Sequence, residues 1–182
     1  SRRIIFIFYI WYCVGTTTIT NAACEPEVTD LVDFLIKMGV PISGRGTSTL
    51  SITGIKETQT SLHDIIPDRI EAATYLAAGA ITSGCVRVTG VIPEHLHSSL
   101  EKFSEMGALI EIGDDWVELN CVNQKLKSVN ISTAPSPLLA TDMQAQFMAL
   151  NAVASGSAVI TENIFENRFM HAQELQRMDA DI

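Results

Sequence analysis

The chain has 182 residues, 47% hydrophobic and 18% charged, the balance of a globular protein with room for one or two cores. Its formal net charge of −9 argues against non-specific binding to nucleic acid or to an acidic membrane surface. Cys13, Cys24, Cys85 and Cys121 are too scattered for a CxxC pair, and the histidines complete no zinc pattern, so no metal site is expected and the thiols read as reduced and cytosolic.

Arg2 and Arg3 precede an apolar run from Ile4 to Val14, too short to span a bilayer. The charged and apolar parts, followed by "NAAC", have the layout of a signal peptide, while the β-branched and aromatic residues favour strand over helix. With no initiator Met, a chain beginning at Ser1 reads instead as a segment of something longer. "VGTTTITNAA" (14–23) predicts a strand. Val28, Leu31, Val32, Leu35 and Ile36 then fall at i, i+3, i+4, i+7 and i+8, one buried helical stripe that Met38-Gly39 ends. Gly44 and Gly46 mark a turn, and "TLSITGI" a further strand. Residues 55–68 are polar and end at Pro67, which disfavours helix at Ile66 and suits a helix start just after it. A domain boundary is therefore expected near residue 66.

"DRIEAATYLAAGA" (68–80) is alanine-rich and apolar nearly all round, the pattern of a buried helix, with sheets expected outside it. "SGCVRVTGVI" (83–92) reads as a strand. His95 and His97 stand at i and i+2, which point to different sides of a helix, so they read as solvated surface. "KFSEMGALI" ends a second amphipathic helix, and "ALIEIG" and "WVELN" read as strands. A helix over 142–154 is expected to open on Thr141 and Asp142, whose oxygens suit the unpaired N–H groups of a first turn. "SGSAVITENI" (155–164) then reads as a strand.

These elements repeat. Gly15, Gly84 and Gly156 each precede a β-branched run, and Met38, Met106 and Met178 follow them at 23, 22 and 22 residues. The unit reads as βαβαββ or a permutation of it, an α/β architecture in which parallel strands and right-handed crossovers are expected.

"PDRIE" (67–71), "TDMQAQF" (141–147) and "FENRFMH" (165–171), in this order and spacing, resemble the UDP-N-acetylglucosamine enolpyruvyl transferases, as does "NAACEPEVTDLVDFLIKMGVPISGRGT" (21–47). The resemblance covers residues 14 to 182 or so. The sister 5-enolpyruvylshikimate-3-phosphate synthases share the repeated fold but not "TDMQAQ" or "FENRFMH". The resemblance implies an inside-out α/β barrel of repeated βαβαββ units, here incomplete. Residues 1–66 would be the C-terminal repeat of a first enolpyruvyl transferase domain, and 67–182 the first one and a half repeats of a second. It also implies transfer of the enolpyruvyl group from phosphoenolpyruvate to the 3-hydroxyl of UDP-N-acetylglucosamine, the first committed step of peptidoglycan synthesis in the bacterial cytoplasm, with no metal or organic cofactor. The partners would be those two substrates and the remainder of the two-domain chain, with no nucleic acid and no membrane.

Carried over residue by residue, the resemblance makes Asp142 the catalytic base, with Thr141 beside it. Ile164 becomes a UDP-sugar contact followed by Phe165, and Arg69 and Arg168 become cleft-lining cations. A hydroxyl that attacks the enolpyruvyl carbon must lose a proton, which a positioned carboxylate accepts. Two anionic substrates need fixed cations to hold them. The plainer roles stay open: Thr141 and Asp142 as helix starters, Arg69 paired with Asp68 or Glu71, Arg168 structural, Ile164 in a core. The sequence departs from the family pattern at Cys24, Ser136 and Ala140, which stand where arginine, histidine and proline are usual. The reactive cysteine and the other phosphoenolpyruvate contacts fall outside the matched region, so these 182 residues alone are expected to be inactive. The competing readings are a non-catalytic nucleotide-sugar-binding repeat module and a secreted domain anchored by the N-terminal apolar run.

Overall fold

The structure, a computed structural model, describes residues 12–182, so the strand expectation for residues 1–11 lies outside the described residues. The chain forms two compact units. One runs to Ile66 and includes Pro135–Pro137; the other holds Pro67–Ala134 and Leu138–Ile182.

In the first unit, β1 (Thr16–Thr20), α1 (Pro26–Lys37), β2 (Ile42–Ser43) and β3 (Thr49–Thr53) follow in order. Pro26 opens α1, where a missing N–H costs nothing, and Glu27 and Lys37 suit its two dipole ends. The helix buries Val28, Leu31, Val32 and Leu35 in one cluster with Leu50 and Ile52 of β3. Ile36 was expected in that stripe but is 40% exposed. At 3.6 residues per turn it sits about 80° round the helix from Val28, at the edge of the buried face. Beyond β3 the chain from 54 to 68 has no regular structure, and it returns along α1. There His63 Nε2 meets Asp30 Oδ1 at 2.8 Å, its Nδ1 lies 3.2 Å from Lys37 Nζ, and its ring is 5.2 Å from that of Phe34.

The second unit opens with α2 (Arg69–Ile81), capped by Asp68, whose Oδ1 accepts from the Ile70 and Glu71 N–H groups at 2.8 and 3.1 Å. Then come β4 (Cys85–Thr89), a 3₁₀ turn (Pro93–Leu96), α3 (His97–Glu105), β5 (Leu109–Ile112) and β6 (Trp116–Asn120). A third set follows: β7 (Ile131–Ser132), a 3₁₀ turn (Thr141–Met143), α4 (Gln144–Val153), β8 (Ile160–Thr161) and α5 (Met170–Arg177). The core gathers Ala73, Leu76 and Ala80 of α2 with Phe103, Val117, Leu119, Met143, Phe147 and Leu150. The Phe103 and Phe147 rings stand 5.0 Å apart.

The strand order corrects the expectation of parallel neighbours. Both three-stranded sheets place the last strand in the middle, β1-β3-β2 and β4-β6-β5, with every neighbour antiparallel. β1 and β2 do run the same way, joined by α1, but β3 slots between them. The short links β2–β3 and β5–β6 explain this, because a tight turn can join antiparallel strands only. Among the described residues, only β7 and β8 pair as a parallel ladder. The burial of the alanine-rich helices is also one-sided rather than complete: α2 leaves Thr74, Tyr75, Ala78 and Ile81 exposed, and α4 leaves Ala145 and Val153 exposed.

The repeated methionines mark one helix ending used three times. After Met38, Gly39 takes φ +92° and donates to the Ile36 carbonyl, and Val40 donates back to Leu35. After Met106, Gly107 takes φ +101° with bonds to Ser104 and, from Ala108, to Phe103. After Met178 the residue is Asp179, and it too is left-handed at φ +66°, with Ala180 donating to Leu175. A left-handed residue after the helix, with the next N–H reaching back one turn further, closes the free carbonyls.

Candidate functional site

The β7–α4–β8 crossover puts the carboxyl ends of both strands and the start of α4 on one side, the usual place for a ligand in such a unit. Polar bonds lock that end. The Thr133 N–H donates to the Thr161 carbonyl at 3.0 Å, and the Asn163 N–H donates to Thr133 Oγ1 at 3.0 Å. Asn163 Nδ2 donates to Ser132 Oγ and to the Thr133 carbonyl, each at 3.0 Å.

From that base the loop after β8 turns toward α4. Arg168 Nη2 donates to Asp142 Oδ1 at 2.6 Å, and Nη1 donates to Thr141 Oγ1 at 3.2 Å. The Thr141 hydroxyl in turn donates to Glu162 Oε2 at 2.7 Å. Gln144 Nε2 reaches the same oxygen at 3.2 Å, and Glu162 Oε1 accepts from the Ile164 and Phe165 N–H groups at 2.8 and 3.1 Å. The guanidinium lies 5.4 Å from the Phe165 ring centroid, within cation–π range.

Charge is distributed unevenly across the cluster. The Asp142 side chain is 55% exposed and that of Arg168 37%, so the pair faces solvent. Partial burial works to raise the Glu162 carboxyl, but the hydrogen bonds from Thr141, the Ile164 N–H, Thr133 and the Phe165 N–H outweigh it. The carboxyl titrates below its ordinary value. Burial, and then the charge of Arg168, push the His171 imidazole down, and its Nε2 is buried without a hydrogen-bond partner.

Five of the six residues singled out from sequence therefore meet here: Thr141, Asp142, Ile164, Phe165 and Arg168. Ile164, a core residue on its plainer reading, is 38% exposed, and Phe165 is 53% exposed. Arg69 comes from a separate element, the first position of α2. That helix packs on the Thr141–Met143 turn and on α4, where Gln146 Nε2 donates to Thr74 Oγ1 at 2.9 Å. One expectation fails. Neither Thr141 nor Asp142 caps the helix, which opens as a 3₁₀ turn with no side-chain cap, because their oxygens are engaged by Glu162 and Arg168 instead. Sequence reading passed over Glu162 and Gln144; a carboxylate one residue past a strand carries no signal of its own.

Chemically, the cluster offers a solvent-facing carboxylate whose orientation is fixed by a fork-shaped cation, beside an exposed aromatic ring and an aliphatic side chain. Such a surface can take a proton from a hydroxyl and hold an apolar or anionic part of a ligand. Among the described residues no group of three or more His, Cys, Asp or Glu is placed to hold a metal ion. Among the same residues, no helix is long and apolar enough to cross a membrane.

The sequence profile of the family described as EPSP synthase (3-phosphoshikimate 1-carboxyvinyltransferase) matches residues 4–182, which extends the match into the N-terminal apolar run. The chain is 58% identical over 168 residues to a UDP-N-acetylglucosamine 1-carboxyvinyltransferase of Coxiella burnetii (strain Dugway 5J108-111), covering 92% of this chain and 39% of that protein. It is 54% identical over 168 residues to the protein of the same name from Hydrogenovibrio crunogenus, covering 92% and 40%. Among solved structures, the enolpyruvyl transferase NikO from Streptomyces tendae matches with a TM-score of 0.78 at 30% identity, over 93% of this chain and 41% of that one. The chain spans about two fifths of the length of the curated relatives it matches.

Proposed function

The chain belongs to the EPSP synthase family of enolpyruvyl transferases, and on that premise we propose that it serves transfer of the enolpyruvyl group of phosphoenolpyruvate to the 3-hydroxyl of UDP-N-acetylglucosamine, with release of phosphate. The observation that carries this reading is the solvent-facing Asp142–Arg168 pair at 2.6 Å, set at the carboxyl ends of β7 and β8.

In this reading Asp142 is the base. As the sugar oxygen bonds to the enolpyruvyl carbon its proton leaves, and the Asp142 carboxylate receives it. Arg168 fixes the orientation of that carboxylate and, with Arg69, supplies positive charge for the anionic substrates. Thr141, Ile164 and Phe165 line the sugar-nucleotide side, where exposed apolar surface suits a sugar or base face. The 58% identity to a protein named for this reaction supports the choice of acceptor.

The domain reading belongs to the same proposal. Residues up to 66 form the C-terminal repeat of one enolpyruvyl transferase domain, and 67–182 the opening one and a half repeats of the next. The remainder of the two-domain chain completes the site. The reaction is placed in the cytoplasm, at the first committed step of peptidoglycan synthesis, with no cofactor.

The test is phosphate release from phosphoenolpyruvate by the complete protein carrying these residues. Release that requires UDP-N-acetylglucosamine is expected, with none from the 182 residues alone. Binding of UDP-N-acetylglucosamine without any release would favour the non-catalytic module instead.

A further inference from the structure

Glu162 contributes no charge to the exposed pair, yet it makes more hydrogen bonds than any other residue of the cluster. Both of its oxygens are taken, one by side chains at the start of α4 and one by the backbone of the loop after β8. With Arg168, it is one of two side chains that tie those segments together, and it alone also holds the backbone of Ile164 and Phe165. Its partners are arranged with a direction. A hydroxyl has one hydrogen to give. Thr141 gives its hydrogen to Glu162 at 2.7 Å, which leaves only lone pairs to face Arg168. Arg168 Nη1 donates to that oxygen at 3.2 Å while Nη2 donates to Asp142, so two acceptors define the plane of the guanidinium. Gln144 is fully buried and its Oε1 has no partner, so its place is explained by the Nε2 bond it makes to Glu162.

We propose that Glu162 is the positioning residue of this site: through Thr141 it sets the plane of Arg168 against Asp142, and through its second oxygen it fixes the backbone of Ile164 and Phe165. The inference rests on the reading of Asp142 as the base. The depressed titration of Glu162 agrees with it, since hydrogen bonds donated to a carboxylate favour its ionised form.

The experiment uses the complete protein with Glu162→Gln and Glu162→Ala. Gln keeps the size but turns an NH₂ toward one pair of donors. Turnover is expected to fall by about 100-fold in both, the cost of a misplaced catalytic group. In an Arg168→Lys background, where the fork is already lost, Glu162→Gln is expected to cost no more than about threefold further, because contacting residues are non-additive. Turnover of Glu162→Gln near that of the parent overturns the proposal. So does an equal loss with and without Arg168, which is what a merely structural role would give. If Glu162→Ala does not fold, Glu162→Gln decides. If the parent protein itself releases no phosphate, the functional reading fails. The positioning claim is then judged by hydrogen exchange at the Ile164 and Phe165 amides, where unchanged protection in Glu162→Gln overturns it and lost protection upholds it.

Discussion

Phe147→Ala should cost the second unit about 3–5 kcal/mol of stability, the range for deleting a fully buried aromatic ring. Phe147 is completely buried, and its ring packs 5.0 Å from that of Phe103 at 36°, a tilted arrangement. The pair contributes about 0.5–1.5 kcal/mol of that cost beyond area burial. A unit of roughly 110 residues has a total stability of about 6–16 kcal/mol, so this one side chain carries a large share of it. The site should suffer in step, because Phe147 lies in the first turns of α4, directly after the turn that bears Asp142. Urea unfolding of the parent and variant, followed by a probe of the second unit, gives the difference as a shift in midpoint at constant slope. Phe147→Leu, which keeps much of the volume, should lose less than half as much. A loss below about 1.5 kcal/mol for Phe147→Ala would mean the ring is not packed as described. Strict additivity with Phe103→Ala would mean that the two rings do not interact.

Three further outcomes are expected. Asp68→Ala removes the acceptor of two first-turn N–H groups of α2 and should cost about 1 kcal/mol, read by the same unfolding midpoint. Gly107→Ala forces a side chain onto φ +101° and should cost about 1–2 kcal/mol, although its nearest neighbour, the Lys125 carbonyl oxygen at 3.7 Å, is in ordinary contact rather than a clash. Acid should destabilise the second unit in two steps. His171 titrates below its ordinary value in the folded state, so the unfolded chain takes the proton first and stability falls as pH drops below about 6.5. Glu162 is likewise depressed, so its contribution is full above about 4.3 and disappears as pH falls through its lower folded value. The stability difference between the parent and Glu162→Gln should therefore shrink only in the second window.

What could be read from the sequence was whatever a local rule dictates. The methionine landmarks mark a helix ending that needs a left-handed residue, and Gly39 and Gly107 supply it openly. Asp179 fills the same role without a glycine, and the repeat was visible there only because the spacing was kept. The stripe of α1 followed from periodicity up to Ile36, where angular drift carries the side chain off the buried face. Strand order was not legible, because β3 and β6 pair with partners some thirty residues earlier in the chain, and no short-range pattern encodes that choice. At the site, the motif residues Thr141, Asp142 and Arg168 are legible in the sequence, but what the Thr141 and Asp142 oxygens bind is not. Capping is the default for Thr and Asp at a helix start, and it lost to a carboxylate and a guanidinium arriving from a distant loop. Glu162 carries no signature of its own, because its bonds to Thr141 and Gln144 span 21 and 18 positions of the chain and exist only in the fold.

The most direct measurement is the turnover of Asp142→Asn in the complete protein, taken together with its stability and its affinity for UDP-N-acetylglucosamine. The pair it breaks is solvent-facing, so stability should change by no more than about 1 kcal/mol. Removing a general base should lower turnover by on the order of 10²–10⁴-fold, with sugar-nucleotide binding largely kept. A variant that turns over like the parent would contradict the role assigned to Asp142, and with it the account of the site.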